Sequence, residues 1–155
     1  PISDNVTIAK VLAHTYIDMG KLNSGAFILE QAAQYDPALL AESSEIYRRA
    51  GRYYKALIMT SSIRDIKIKL KQRLVIYLAL KRYEQAANMK KSLYRNGLLE
   101  DENIRYALAY AYFSSGQFEA ASSQIDFLKE VALFKKGVEL RRMMASCSEE
   151  PWQCT

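Results

Sequence analysis

The residues of this chain whose chemistry could be specific are one histidine, two cysteines and a dense group of lysines and arginines. His14 has Lys10 and Asp18 as ionisable neighbours on a helical pattern, with no cysteine or carboxylate pair beside it. A lone imidazole in that setting is more often a surface residue than a general base or a metal ligand. The sequence holds no glycine-rich phosphate loop, no Ser-x-x-Lys and no nucleophile elbow. The expectation is therefore a chain that is not an enzyme, with no catalytic, metal or cofactor site. Cys147 and Cys154 enclose six residues that include the turn-former Pro151. Two cysteines so close together suit a local disulfide, with two free thiols as the alternative. A bridge implies an oxidising compartment, periplasmic or otherwise extracytoplasmic, whereas free thiols fit a cytoplasmic one.

The net charge of +5 is unevenly spread: residues 64–95 carry ten basic and two acidic groups, against six and six before them and six and nine after. The basicity belongs to the middle third, either as solvated helix faces or as a surface for an acidic partner. Lys67, Lys69, Lys71 and Arg73 are spread around a helix axis without interleaved aromatics, so nucleic acid is not the expected partner. No apolar run reaches the roughly 18 residues a membrane span needs. The start, Pro1-Ile2-Ser3-Asp4, has neither an initiator Met nor the pattern of a signal peptide, which reads as a processed chain or a piece of a longer array.

An internal repeat organises everything else. Tyr16, Tyr47, Tyr77 and Tyr112 are 31, 30 and 35 residues apart. Six residues after each stands Leu22, Tyr53, Tyr83 or Phe118, and three further on Gly25, Ala56, Ala86 or Ala121. Such a period indicates stacked supersecondary units. The small column lets two antiparallel helices approach, and the aromatic columns fill the grooves between neighbouring pairs. Each buried ring contributes roughly 1.5–3 kcal/mol, and each Tyr hydroxyl needs a partner or water.

The elements follow from boundary signals. Asp36-Pro37 caps and opens a helix, Asn96-Gly97 stops one, and Asp65 and Asp101 are plausible N-caps. Gly20, Gly51 and Gly116 each lie between two helical patterns, so helices of about 12–16 residues are expected. Ile66 to Lys71 alternates like a strand, yet Ile63, Ile66, Leu70, Leu74, Tyr77 and Leu78 also keep helical spacing, and a lone strand cannot satisfy its backbone. Helix is the expectation there. Val131 to Cys147 is a further amphipathic helix, read as a cap on the last unit, with a docking helix for another chain as the alternative.

The units resemble tetratricopeptide repeats. The first runs Ala9-x2-Leu12-Ala13-x2-Tyr16, then Gly20, Gly25-x3-Leu29, Ala32 and Pro37. The fourth runs Arg105-x2-Leu108-Ala109-x2-Tyr112, Gly116, Phe118 and Ala121-x3-Ile125. The second and third keep mainly the register. This resemblance implies an all-α, right-handed solenoid: one domain over residues 1–155, with repeats at about 4–36, 37–64, 65–98 and 99–130. A capping helix at 131–147 and a tail at 148–155 complete it. It also implies a groove lined by the first helix of each pair, carried here by Lys10, His14, Ile17, Arg48, Arg49, Lys71, Val75, Leu78, Tyr106, Tyr110 and Phe113.

Arg48 and Arg49 suit a carboxylate, and the three aromatics suit apolar anchors or, alternatively, packing against the capping helix. Family members that clamp a peptide's terminal carboxylate with Lys and Asn are matched by Lys10 but not by His14 and Glu42, so that ligand is not implied. The implied function is a scaffold holding a peptide or helix of a partner protein, with envelope secretion, pilus or transport machinery as the expected setting. A cytosolic chaperone for secreted subunits is the alternative, and homo-oligomers could form through the end faces, with the first helix as one.

Overall fold

The computed structural model describes residues 1–154, which form ten α-helices and two 3-10 turns with no strand among the described residues. The helices fall into two compact units, Pro1–Leu80 and the chain from Lys81 onward. The first unit holds α1 (Ile2–Asp18), α2 (Leu22–Ala32), α3 (Leu39–Arg49), α4 (Tyr53–Thr60) and α5 (Ile66–Ala79). Each of these packs on the next, and α5 also reaches α3. The second unit holds α6 (Tyr83–Ala87), α7 (Lys90–Arg95), α8 (Glu102–Ser114), α9 (Phe118–Ile125) and α10 (Val131–Glu149), with α8 packed on α6, α9 and α10. The 3-10 turns are Leu98–Glu100 and Pro151–Cys154.

Residues 66–71 are helical, as their wider spacing required. Asp65 caps α5 by accepting the Lys67 and Ile68 amides at 2.9 and 3.1 Å, and Asp101 caps α8 by accepting Asn103 N–H at 2.9 Å. Second helices are shorter than expected: α4 and α9 have eight residues each and α6 only five. At the end of α4 the Thr60 hydroxyl donates to Leu57 O at 2.6 Å, a side chain competing for the helix's own acceptors. After α6 the chain turns through Asn88 and Met89 before α7 begins.

One turn geometry recurs four times at a fixed distance from the repeated tyrosines. Gly20, Gly51 and Gly116 have φ of +78, +78 and +77°, and Lys81 takes the same place with φ +57°. The next amide folds back onto the tyrosine carbonyl: Lys21 N–H to Tyr16 O at 2.9 Å, Arg52 to Tyr47 and Gln117 to Tyr112 at 2.8 Å. These are helix stops closed by a six-to-one bond, which need a left-handed residue. Glycine adopts that conformation without strain, while a β-carbon carries a cost of about 1 kcal/mol or more. Lys81 bears that cost.

The small column lies at the helix crossings. Ala56, Ala86 and Ala121 are fully buried, and Gly25 is buried too. A β-carbon on Gly25 would stand 2.5 Å from Ile17 Cγ1 and 2.9 Å from the backbone oxygen of Ala13, so α1 and α2 touch through their main chains. Buried serines fasten the next layer: Ser43 Oγ donates to Ala26 O at 2.7 Å and Ser44 Oγ to Ala56 O at 3.1 Å. In the second unit α10 buries Leu133, Gly137, Leu140, Met144 and Cys147 against the hairpin beneath it. Glu102 accepts the amides of Lys129 and Glu130 at the start of α10, and Arg141 pairs with Asp126. On its other side Val131, Phe134 and Val138 remain exposed.

Candidate interaction faces

In the first unit the expected groove residues come from α1, α3 and α5. Lys10 and His14 line a shallow hollow of about 440 Å³ with Thr7, Val11, Thr15 and Asp18. His14 Nε2 lies 2.7 Å from Glu42 Oε1, joining α1 to α3. Arg48 binds Glu45 on its own helix through two hydrogen bonds, at 2.9 and 2.6 Å, and this contact outweighs burial and raises its pKa. Arg48 is thus occupied within the chain, whereas Lys10, Arg49 and Lys71 are exposed with no ion pair among the described residues. Ile17 is half-buried and lies against the Gly25 crossing, while Val75 is exposed and Leu78 half-buried.

A polar network behind that face was missed by sequence reasoning. Glu30 on α2 accepts from Tyr47 Oη at 2.8 Å and from Lys55 Nζ at 2.7 Å, and Lys55 stands 5.3 Å from the Tyr47 ring centre. Burial alone would raise the Glu30 pKa, but the bonds from Lys55 and Tyr47 outweigh it and hold the carboxyl below its ordinary value. Burial, followed by the Glu30 carboxylate, pushes the Tyr47 phenol up to about 12. Since Tyr47 belongs to the repeated column and its hydroxyl needed a partner, a carboxylate one unit earlier was the signal that could have found Glu30.

In the second unit Tyr106, Tyr110 and Phe113 recur at helical spacing along one side of α8. Tyr110 is edge-on to Tyr83 of α6, with centroids 6.0 Å apart. Phe113 lies 6.3 Å from Tyr110 and stacks on Phe118 of α9 at 5.8 Å. Lys136 of α10 sits 5.5 Å above the Tyr106 ring. Burial first, then Tyr110, raises the pKa of both Tyr83 and Tyr106, which keeps them neutral donors at physiological pH. Tyr106 thus meets the last helix, while Tyr110 and Phe113 form one row with the second helices, all four rings half-buried. Such a row offers ring edges to an apolar side chain and hydroxyls to a peptide backbone.

Cys147 and Cys154 stand in disulfide register with Cα atoms 5.6 Å apart. No cluster of three potential metal ligands occurs among the described residues, and no described helix is long and apolar enough to cross a membrane. On the outer side of α1 and α2, Ile2, Val6, Ala9, Phe27, Ile28 and Tyr35 border an apolar hollow of about 480 Å³.

A tetratricopeptide repeat family model matches residues 11–39, which span the second half of α1 and all of α2 with the turn between them. A tetratricopeptide repeat protein from Parabacteroides merdae superposes with a TM-score of 0.76 at 23% identity, over 95% of this chain and 62% of its own. This chain therefore spans less than two thirds of that protein's length. MamA (residues 41 to the end) from Desulfovibrio magneticus RS-1 gives 0.74 at 15% identity, over 99% of this chain and 89% of its own. MamA of strain MSR-1 gives 0.60 at 22% identity, over 89% and 78%. No curated protein matches the sequence. The glycine turns, the buried small column, the match over residues 11–39 and these likenesses agree: the chain has the fold of a tetratricopeptide-like helical repeat domain.

Proposed function

We propose that this chain is a non-enzymatic scaffold that holds a peptide or a helix of a partner protein. The observation that carries the reading is the row of half-buried rings that Tyr110 and Phe113 of α8 form with Tyr83 and Phe118, which leaves aromatic surface open where the helix core is already filled. Tyrosine and arginine are the side chains that most often anchor protein interfaces. In the first unit the exposed cations Lys10, Arg49 and Lys71 add attraction for acidic side chains, mostly as faster and more selective encounter. An acidic partner segment with an apolar or aromatic anchor is the class that suits both faces.

A location in the bacterial envelope, within a secretion, pilus or transport assembly, is the setting we favour, on the strength of the cysteine pair. The exposed apolar hollow on α1 and α2 suits homo-oligomers through an end face. The test is co-purification from the native source with wild type, with Tyr110→Ala, and with Arg49→Glu plus Lys71→Glu. Retained partner stoichiometry in both folded variants would remove the reading. Co-purification of an unstable client by a protein with two free thiols would favour the cytosolic chaperone role instead.

A further inference from the structure

Four residues before each repeated tyrosine stands a side chain aimed at the second helix of the preceding pair. Ser43 of α3 donates to Ala26 O of α2 at 2.7 Å, and Arg73 Nε of α5 donates to Thr60 Oγ1 of α4 at 2.9 Å. Leu108 holds the same place on α8 and is fully buried; Leu39 and Ile104, one turn earlier on α3 and α8, are buried as well. On α1 these places belong to Leu12 and Ile8, which are 46% and 65% exposed. A seat that the chain fills elsewhere with a helix is thus left open on α1.

The last helix carries a second open seat. A β-carbon on Gly137 would stand 2.8 Å from Ile125 of α9, so Gly137 holds on α10 the place that Ser43 holds on α3. The next residue along in the other first helices is Ala13, Ser44, Leu74 or Ala109, each buried, and Ser44 reaches Ala56 O in the second helix of its own pair. On α10 that residue is Val138, 52% exposed, with Phe134 one turn before it at 55%. The charged edges of the two stripes differ in sign. Asp4 and Asp18 border the α1 stripe; Asp4 is held by the Pro1 amine, and Asp18 has no ion pair among the described residues. Lys135, Arg141 and Arg142 border the α10 stripe; Asp126 and Glu139 hold the two arginines, which leaves Lys135 without an ion pair among the described residues.

We propose that the two seats cover each other between copies of this chain: α10 of one copy, through Phe134 and Val138, docks on α1 of the next, through Ile8 and Leu12. A second copy brings both the apolar stripe that α1 leaves uncovered and a cationic edge for its acidic one. One contact then withdraws both patches from water. It joins unlike surfaces, so association continues beyond a pair unless the copies close on themselves. The inference rests on the reading that end faces join copies, and it is independent of the partner face on α8.

Sedimentation of the full chain at rising concentration tests it. Wild type should gain mass with concentration, past that of two copies. Ile8→Glu alone and Phe134→Glu alone should each sediment as single copies. An equimolar mixture of the two should form a pair and stop there, because one variant keeps its α10 stripe and the other its α1 stripe. Both side chains are exposed, so far-UV circular dichroism should be unchanged, and Leu12→Glu with Val138→Glu repeats the test one turn away. A Phe134→Glu protein that still pairs would show α1 packing on itself, and an Ile8→Glu protein that still pairs would show the same of α10. Either result, or an associating wild type whose variants form no mixed pair, overturns the head-to-tail contact and leaves end-face association standing. Wild type that stays single at every concentration, its α1 stripe left to a helix of another protein, would sink both.

Discussion

Adding one methyl group at two buried glycines should have unequal consequences, because the atoms it would meet differ. At Gly25 a new β-carbon lands 2.5 Å from Ile17 Cγ1 and 2.9 Å from Ala13 O. The first belongs to a β-branched side chain with little torsional freedom, and the second to the main chain of α1. Neither can withdraw, so α1 and α2 must separate. At Gly137 the new carbon meets Ile125 Cγ2 at 2.8 Å and Leu128 Cδ1 at 3.2 Å, the first a stiff β-branch and the second the far end of a leucine, with no backbone atom among them. Overpacking typically costs about 1–3 kcal/mol, against a helix-propensity gain of about 1 kcal/mol from Gly to Ala.

Gly25→Ala should therefore lose about 1–2 kcal/mol net, and Gly137→Ala, which meets no backbone atom, should lose less, about 0–1 kcal/mol. With about 2–4 °C per kcal/mol in a chain of this size, the first lowers the melting midpoint by roughly 2–8 °C and the second by no more than about 4 °C. Urea titration followed by circular dichroism measures both. Gly25→Ala as stable as wild type, or less harmful than Gly137→Ala, would refute the claim that the first hairpin is closed by backbone contact.

Other outcomes follow from features already described. Lys81→Gly should stabilise the protein by up to about 1 kcal/mol by relieving its left-handed backbone, seen as a raised urea midpoint. Gly51→Ala, with the same φ and open space around it, should lower that midpoint by a similar amount. Arg48→Ala with Arg49→Ala should shift the thermal midpoint little, since an i,i+3 ion pair is worth only about 0.2–0.5 kcal/mol, while weakening partner capture. Tyr47 has a folded pKa raised to about 12 from 10.0, so its stabilising contribution is complete below pH 10.0 and is lost as pH climbs through 12. Tyr47→Phe should flatten that alkaline limb. Glu30, held below its ordinary value, contributes above the unfolded carboxyl range and loses its contribution on acidification, so Glu30→Gln should make unfolding less steep in acid.

The repeat columns made the helical architecture readable because they encode close approach: a crossing that admits only Gly or Ala leaves its mark in the residue type. Lys81 escaped notice because the eye follows glycine, although it stands four residues after Tyr77, as Gly20 does after Tyr16. Ser43, Ser44 and Glu30 were invisible for a different reason. Their partners lie on other helices, and polar residues inside a helical pattern look alike whether they bond a neighbouring carbonyl or water. The length of α4 was not readable because it ends where the Thr60 hydroxyl competes for a main-chain acceptor, a choice that depends on tertiary surroundings. For the interaction faces, register on the first helices located the rings on α8, but the pairing of Arg48 to Glu45 and of His14 to Glu42 emerged only from coordinates.

The two serines of α3 also govern how the first unit can deform. One hydroxyl reaches back to the helix before it and its neighbour reaches forward to the helix after it. Sliding α3 along either neighbour would strand a donor where no solvent can replace it. Longitudinal slippage of this layer therefore carries a cost of about 1–3 kcal/mol for each hydroxyl left without its acceptor.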